Sequence, residues 1–353
     1  MNFDFSEEEQ AISDITQQIF EDKVTHEHLR SLTKSGESFD RELWLSLAGT
    51  GVVGATIHEE FQGAGLNFLG ATALLEKVGK YAAPIPALET IVTGALPIQE
   101  FGTESQKTEL LPKITAGELI VTTALTPSKE ATVEENQVSG SFNFVSFGLE
   151  ADILLIPTTT GVFIIKGSEK GVSLNPQETT TGYSQATLIM DNVEAQQLGT
   201  VTSEDFKTWL SLRIDSAICS IMAGACEASL DLASQYTKVR QQFDRAIATF
   251  QAVSQRAGDA YIDTEAVRLT SRQAAWRISA GLPALEQVAI ARWWASEAGF
   301  RVVHAATHLH GGVGVDRDYP LHRYFLMTRQ LELTMGNSEE QLEKLGNLLA
   351  NKA

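Results

Sequence analysis

Hydrophobic periodicity changes twice along this chain, and that change limits its possible folds more than any single residue does. Up to residue 117 apolar positions recur every three or four residues, then come short β-branched runs, and from 203 onward the 3.6 period returns over longer stretches. The first stretch, residues 6–22 (SEEEQAISDITQQIFED), opens with a serine and acids and sets Ile12, Ile15 and Ile19 on one stripe. This predicts an amphipathic helix with a capped start. Helical patterns follow at 39–48, 68–81, 85–101 and 105–116, and later at 206–240, 250–280, 283–308 and 338–350. Between them, LIVTTAL from 119, SGSFNFVSF from 139, DILLIPTTTGVFIIK from 152 and ATLIMDNV from 186 read as strands bounded by Gly, Asn and Pro. The expectation is an α+β chain with linkers near 117 and 202. It has an N-terminal helical domain (1–117), a middle β-barrel or sheet domain (118–202) and a C-terminal four-helix bundle (203–353).

Composition narrows the function. With 353 residues, 43% hydrophobic and 20% charged, the chain is globular and long enough for more than one packed unit. A net charge of -18 argues against nucleic acid or an anionic membrane surface as main partner, since both require clustered Lys and Arg. An anionic ligand would then need local basic residues. Cys219 and Cys226, seven apart on one helix face, read as core positions and not as a disulfide. The first residues lack a basic and then apolar leader pattern, and no run of 18 apolar residues occurs, so the expected home is a reducing cytoplasm.

Two segments carry chemistry. The first, residues 236–253 (YTKVRQQFDRAIATFQAV), holds Arg240, Phe243 and Gln251. A guanidinium suits an oxyanion because it is a planar fork of donors that stays charged. The second, residues 308–325 (HLHGGVGVDRDYPLHRYF), pairs Gly311 with Gly312, where backbone free of side chains can be approached closely. His304, His308 and His310 also raise a metal, but neither Cys nor acid in the immediate run completes a ligand set. No metal is expected, and Asp316, Arg317 and Asp318 read as a solvated or interface turn.

These segments, together with residues 52–84 and 101–120, resemble the acyl-CoA dehydrogenase family in the same order over nearly the whole chain. The resemblance implies FAD as cofactor, an acyl-CoA thioester as substrate, and an electron-transfer flavoprotein as acceptor. It implies that Arg240, Phe243 and Gln251 reach a neighbouring subunit's FAD, that Gly311 and Gly312 form the glycine pair, and that His308 stands where a Gln contacts the adenosine. Asp244 replaces the family's usual Gly. In the middle domain the Thr-Glu-Pro segment reads Leu125, Thr126, Pro127 with no Gly-Ser-Asp after it, and Trp-x-Thr reads Phe144, Val145, Ser146. Ser146 keeps a hydroxyl for flavin N5, and Phe144 an aromatic face for the ring.

By resemblance the reaction is α,β-desaturation, in which a carboxylate takes the α-proton while a hydride leaves the β-carbon. The Glu that usually serves as base is here Met335, which keeps only its N–H for polarising the thioester oxygen. The family's alternative base position corresponds to Ala217. Asp215 lies two residues earlier, roughly 200° around the helix, and Glu227 reads as solvated. The ending TMGNSEEQLEKLG resembles the short, Glu-lacking subunit of α2β2 enzymes of steroid side-chain breakdown. A longer acyl-CoA dehydrogenase subunit would then supply the base. The other readings are a homotetramer with a displaced base, a non-catalytic structural subunit without FAD, and an oxidase or hydroxylase on the same fold.

Overall fold

The computed structural model describes residues 3–351. Six helices open the chain: α1 (Glu7–Lys23), α2 (His26–Ser35), α3 (Arg41–Ala48), α4 (Phe68–Tyr81), α5 (Leu96–Phe101) and α6 (Glu104–Thr115), with a π-helical segment, Leu88–Ala95, running into α5. The expected cap on α1 is a capping box. The Ser6 hydroxyl accepts from the Glu9 N–H at 3.2 Å, and the Glu9 carboxylate accepts from the Ser6 N–H at 2.9 Å. Ile12 is buried, and Ile15 and Ile19 pack beside it on the core.

Eight strands follow: β1 (Val121–Thr123), β2 (Thr126–Glu134), β3 (Gln137–Ser146), β4 (Ile153–Pro157), β5 (Val162–Lys166), β6 (Val172–Pro176), β7 (Gln185–Glu194) and β8 (Gln196–Gln197). They form two four-stranded sheets, ordered β1-β4-β5-β8 and β2-β3-β7-β6, with every pairing antiparallel except β1 with β4. Of the two architectures expected for this domain, sheets and not a closed barrel are formed, because each sheet keeps two unpaired edges. Their inward residues, among them Phe142, Leu154, Phe163 and Leu188, make one core between the sheets.

The rest of the chain is helical: α7 (Ser203–Val239), α8 (Gln251–Ser279), α9 (Leu285–His310), α10 (Leu321–Leu333) and α11 (Ser338–Ala350). A two-residue-strand hairpin, β9 (Gln241–Gln242) with β10 (Arg245–Ala246), joins α7 to α8. Helices α7 to α10 pack as a bundle, and α11 lies on α9. Helices α2 and α10 fall where the periodicity predicted none.

The N-terminal helices and this bundle share one core, running from Phe20 and Trp44 through Leu74 to Ile218 and Ala274. Where α4 meets α7 the backbones nearly touch. A Cβ on Gly79 would lie 1.8 Å from the Ile221 carbonyl oxygen, and one on Gly224 1.8 Å from that of Glu76, so glycine is required at both crossings. Helix α7 is long and apolar enough to cross a bilayer, yet 78% of its most apolar window is buried inside the protein, as in a core helix.

Candidate functional site

One end of the bundle carries the candidate dinucleotide surface. Arg240 caps α7 and is exposed, and its carbonyl accepts from the Ile247 N–H at 2.8 Å, closing the hairpin. The two turn residues, Phe243 (φ 53°) and Asp244 (φ 62°), are both left-handed, as a two-residue hairpin loop demands. A Gly, which the resemblance implies at 244, would suit this turn. Aspartate is among the few other side chains that tolerate this conformation. Phe243 is 87% exposed, and the Arg245 guanidinium lies 4.2 Å over the Phe250 ring. Gln251, also exposed, begins α8, whose preceding Phe250 offers no capping side chain, so its first N–H groups are open to an anion.

The second half of this surface is the end of α9. Gly311 terminates the helix at φ 60°, and a Cβ added to Gly311 or to Gly312 would meet nothing within 4 Å. The backbone there is therefore uncovered, while His308 beside it is exposed. His310 is used differently. It is buried, its Nδ1 is 2.7 Å from the Ala306 carbonyl and its Nε2 3.0 Å from the Tyr319 hydroxyl, and its ring stacks on Tyr236 at 4.5 Å. Tyr236 is one helical turn before Arg240, so this stack ties the arginine end of α7 to the glycine turn. Among the described residues, no group of three or more His, Cys, Asp or Glu side chains is placed to hold a metal ion.

The other candidate residues lie in the sheets, along the helices and in the turn after α10. Phe144 sits at an irregularity in the β3–β7 pairing, with φ 54°, and its N–H donates to Gln177 at 2.6 Å. Ser146 is engaged within the protein: its hydroxyl accepts from the Gln185 amide at 3.1 Å and interacts with the carboxyl of Glu89. Glu89, which motif reasoning passed over, is a buried acid on the π-helical segment. Burial pushes its carboxyl up to about 7, against the lowering pull of the Ser146 hydroxyl. Its only sequence signal is a lone acid in the apolar run ALETIVTGAL.

Met335 adopts φ 62° in the turn between α10 and α11, with Gly336 at φ 104° behind it. It lines a pocket of about 330 Å³ with Leu125, Lys207, Thr208, Leu210, Ser211 and Ile214. This turn is built around Arg292 of α9, a fully buried side chain. Its guanidinium donates to the carbonyls of Leu331 (2.7 Å), Thr334 and Gly336 (3.5 Å), and to Ser296 at 3.1 Å. Asp215 is its counter-ion, 3.2 Å from Nε. Burial pushes the Asp215 carboxyl up, and Arg292 opposes it. Glu227 bridges Lys80 at 2.8 Å and Arg268 at 3.4 Å. Burial alone would raise its carboxyl, but these cations hold it below the usual range. Arg292 was invisible to motif reasoning, since its partners come from three separate elements.

Two family models match the chain: "Acyl-CoA dehydrogenase, N-terminal domain" over residues 6–118 and "Acyl-CoA dehydrogenase, C-terminal domain" over 216–349. The acyl-CoA dehydrogenase FadE27 of Mycobacterium tuberculosis is 34% identical, with 99% of each chain covered. A chain of the ChsE4-ChsE5 complex from Mycobacterium tuberculosis superposes with a TM-score of 0.94 at 34% identity, again over 99% of each chain. A chain of the Tcur3481-Tcur3483 steroid ACAD (G363A variant) gives 0.91 at 35% identity, covering 98% of each.

Proposed function

Because this chain belongs to the acyl-CoA dehydrogenase family, oxidoreductases of acyl-CoA CH–CH bonds, we propose that it is the cofactor-holding, base-lacking subunit of a heteromeric steroid acyl-CoA dehydrogenase. The observation that carries this reading is Met335: the turn that should present an acid is fully formed, and its side chain cannot take a proton. Asp215 is held by Arg292 and Glu227 by Lys80 and Arg268, which leaves both committed to ion pairs. The base then comes from a longer partner subunit in an α2β2 assembly, and the likeness to the Tcur3481-Tcur3483 steroid ACAD supports a steroid substrate class.

The dinucleotide surface fits the adenosine and pyrophosphate end of FAD: an uncovered glycine turn, an exposed arginine, and an uncapped helix start. Arg240 would grip the pyrophosphate, Phe243 and Gln251 would flank it, and His308 with Gly311 and Gly312 would receive the adenosine. The ring end fits less well, because the Ser146 hydroxyl already has protein partners and Phe144 is set on a bulge. That asymmetry supports donation of the arm to the partner's cofactor. FAD, when bound, supplies the hydride acceptor for the β-hydrogen. The N–H of Met335, held in place through Arg292, is available to the thioester oxygen, and an electron-transfer flavoprotein would reoxidise the enzyme.

The test is expression of the chain alone and together with a longer acyl-CoA dehydrogenase subunit that retains the acid. Alone it should not desaturate a steroid side-chain CoA thioester; together they should co-purify with flavin and turn over. Turnover by the chain alone would sink the heteromer. It would favour a second reading, a homomer with Glu89 as the displaced base, which the position of this buried carboxyl beside Ser146 supports and which Glu89→Gln should then inactivate.

A further inference from the structure

A second cavity lies away from the dinucleotide surface, and its chemistry differs from that of the chain around it. It measures about 560 Å³, within the range of small-molecule sites, and is bounded by α2 and the loop after it, residues 82–84, the threonine-rich loop 179–183, and the start of α10. Four cations line it, Arg30, Lys34, Arg317 and Arg323, against two carboxylates, Glu37 and Asp318, in a protein of net charge -18. Asp318 is taken by Arg30 at 2.7 Å. Among the described residues, no carboxylate lies within ion-pair distance of Lys34, Arg317 or Arg323.

Arg323 is the informative member. It is half-buried, and its Nη1 reaches only the Thr33 hydroxyl at 3.3 Å, while its buried Nε has no hydrogen-bond partner. A desolvated guanidinium with an idle donor and no counter-ion is costly, and an oxyanion in the cavity would satisfy both deficits. Around it Thr180 offers a hydroxyl, those of Thr179 and Thr181 being bonded to each other and to Tyr183 and Gln330, and Leu29, Leu32 and Leu326 offer apolar surface. From this juxtaposition we propose that the cavity between α2 and α10 binds an amphipathic small molecule, an oxyanion head on an apolar body, with Arg323 and Lys34 holding the head. The head group is a phosphate ester or a carboxylate. Lys34, exposed at the rim, draws the anion in, and Arg323 fixes it.

Calorimetric titration of the full chain with octyl phosphate, octanoate and uncharged octanol tests this. At least one of the two anions should bind where octanol does not, and the tighter one identifies the head group. Arg323→Gln and the rim variant Lys34→Glu should each weaken binding at least about tenfold, while Lys166→Gln, a neutralisation on β5, should leave it unchanged. Binding of neither anion, equal binding of octanol, or wild-type affinity in Lys34→Glu together with a folded Arg323→Gln would overturn the proposal.

Discussion

Arg292 shows how much one side chain can organise without touching solvent. It neutralises Asp215 and gathers the carbonyls that end α10, so removing it leaves a buried carboxylate unpaired and several acceptors unserved. Arg292→Met should therefore cost about 3–5 kcal/mol in chemical denaturation, and adding Asp215→Leu should recover much of that loss. A single variant within 1 kcal/mol of wild type, by that same roughly scaled measure, would disprove the arrangement. Glu89 makes a pH-dependent prediction. Its carboxyl is raised to about 7, so between the unfolded value near 4.5 and 7 the folded state binds more protons, and stability falls as pH rises through that window. Glu89→Gln should remove this slope and be more stable than wild type above pH 7, by on the order of 3 kcal/mol, as thermal unfolding at several pH values would register.

At the scale of elements, the β9–β10 hairpin is a short rigid arm whose turn has both central residues left-handed. Asp244→Gly should stabilise it by about 1 kcal/mol or less and also remove a negative charge near a diphosphate, so flavin retention by the assembly should rise. Arg240→Ala should instead lower the flavin-to-protein absorbance ratio of the purified assembly, and an unchanged ratio would refute its assigned contact. The sequence marked Arg240, Phe243 and Gln251 as candidate residues through a local pattern, but not the hairpin that carries the first two. Nor did it show the pairing that positions this arm. His310 meets Tyr236 and Tyr319 through folding, and the three-histidine spacing, read as no metal site, gave no sign of this stack and hydrogen bond. Helix α10 was hidden for a related reason, since its residues serve the turn and the cavity as well as the core and so blur the apolar stripe.

For the whole molecule, periodicity sufficed to order helices, sheets and bundle, because each region repeats one pattern for tens of residues. It did not disclose that the first and last helical regions share a core, since a contact such as Gly79 on Ile221 leaves only an ordinary glycine in the sequence. Nor did it show which apolar residues stay outside. Ile262 and Leu269, two turns apart on α8, are 65% and 58% exposed, and Phe243 and Val239 lie bare at the nearby arm. Such exposed apolar residues fit the assembly proposed above. Light scattering should find the chain associated, and Ile262→Lys with Leu269→Lys should shift it to smaller species; a monomer in both cases would contradict this. Arg292 also bears on what position 335 can carry. It holds the turn by backbone oxygens, so its grip does not depend on which side chain stands at 335. On the heteromeric reading proposed above, a carboxylate at 335 could therefore be exchanged for methionine without loss of the arginine's grip on the turn.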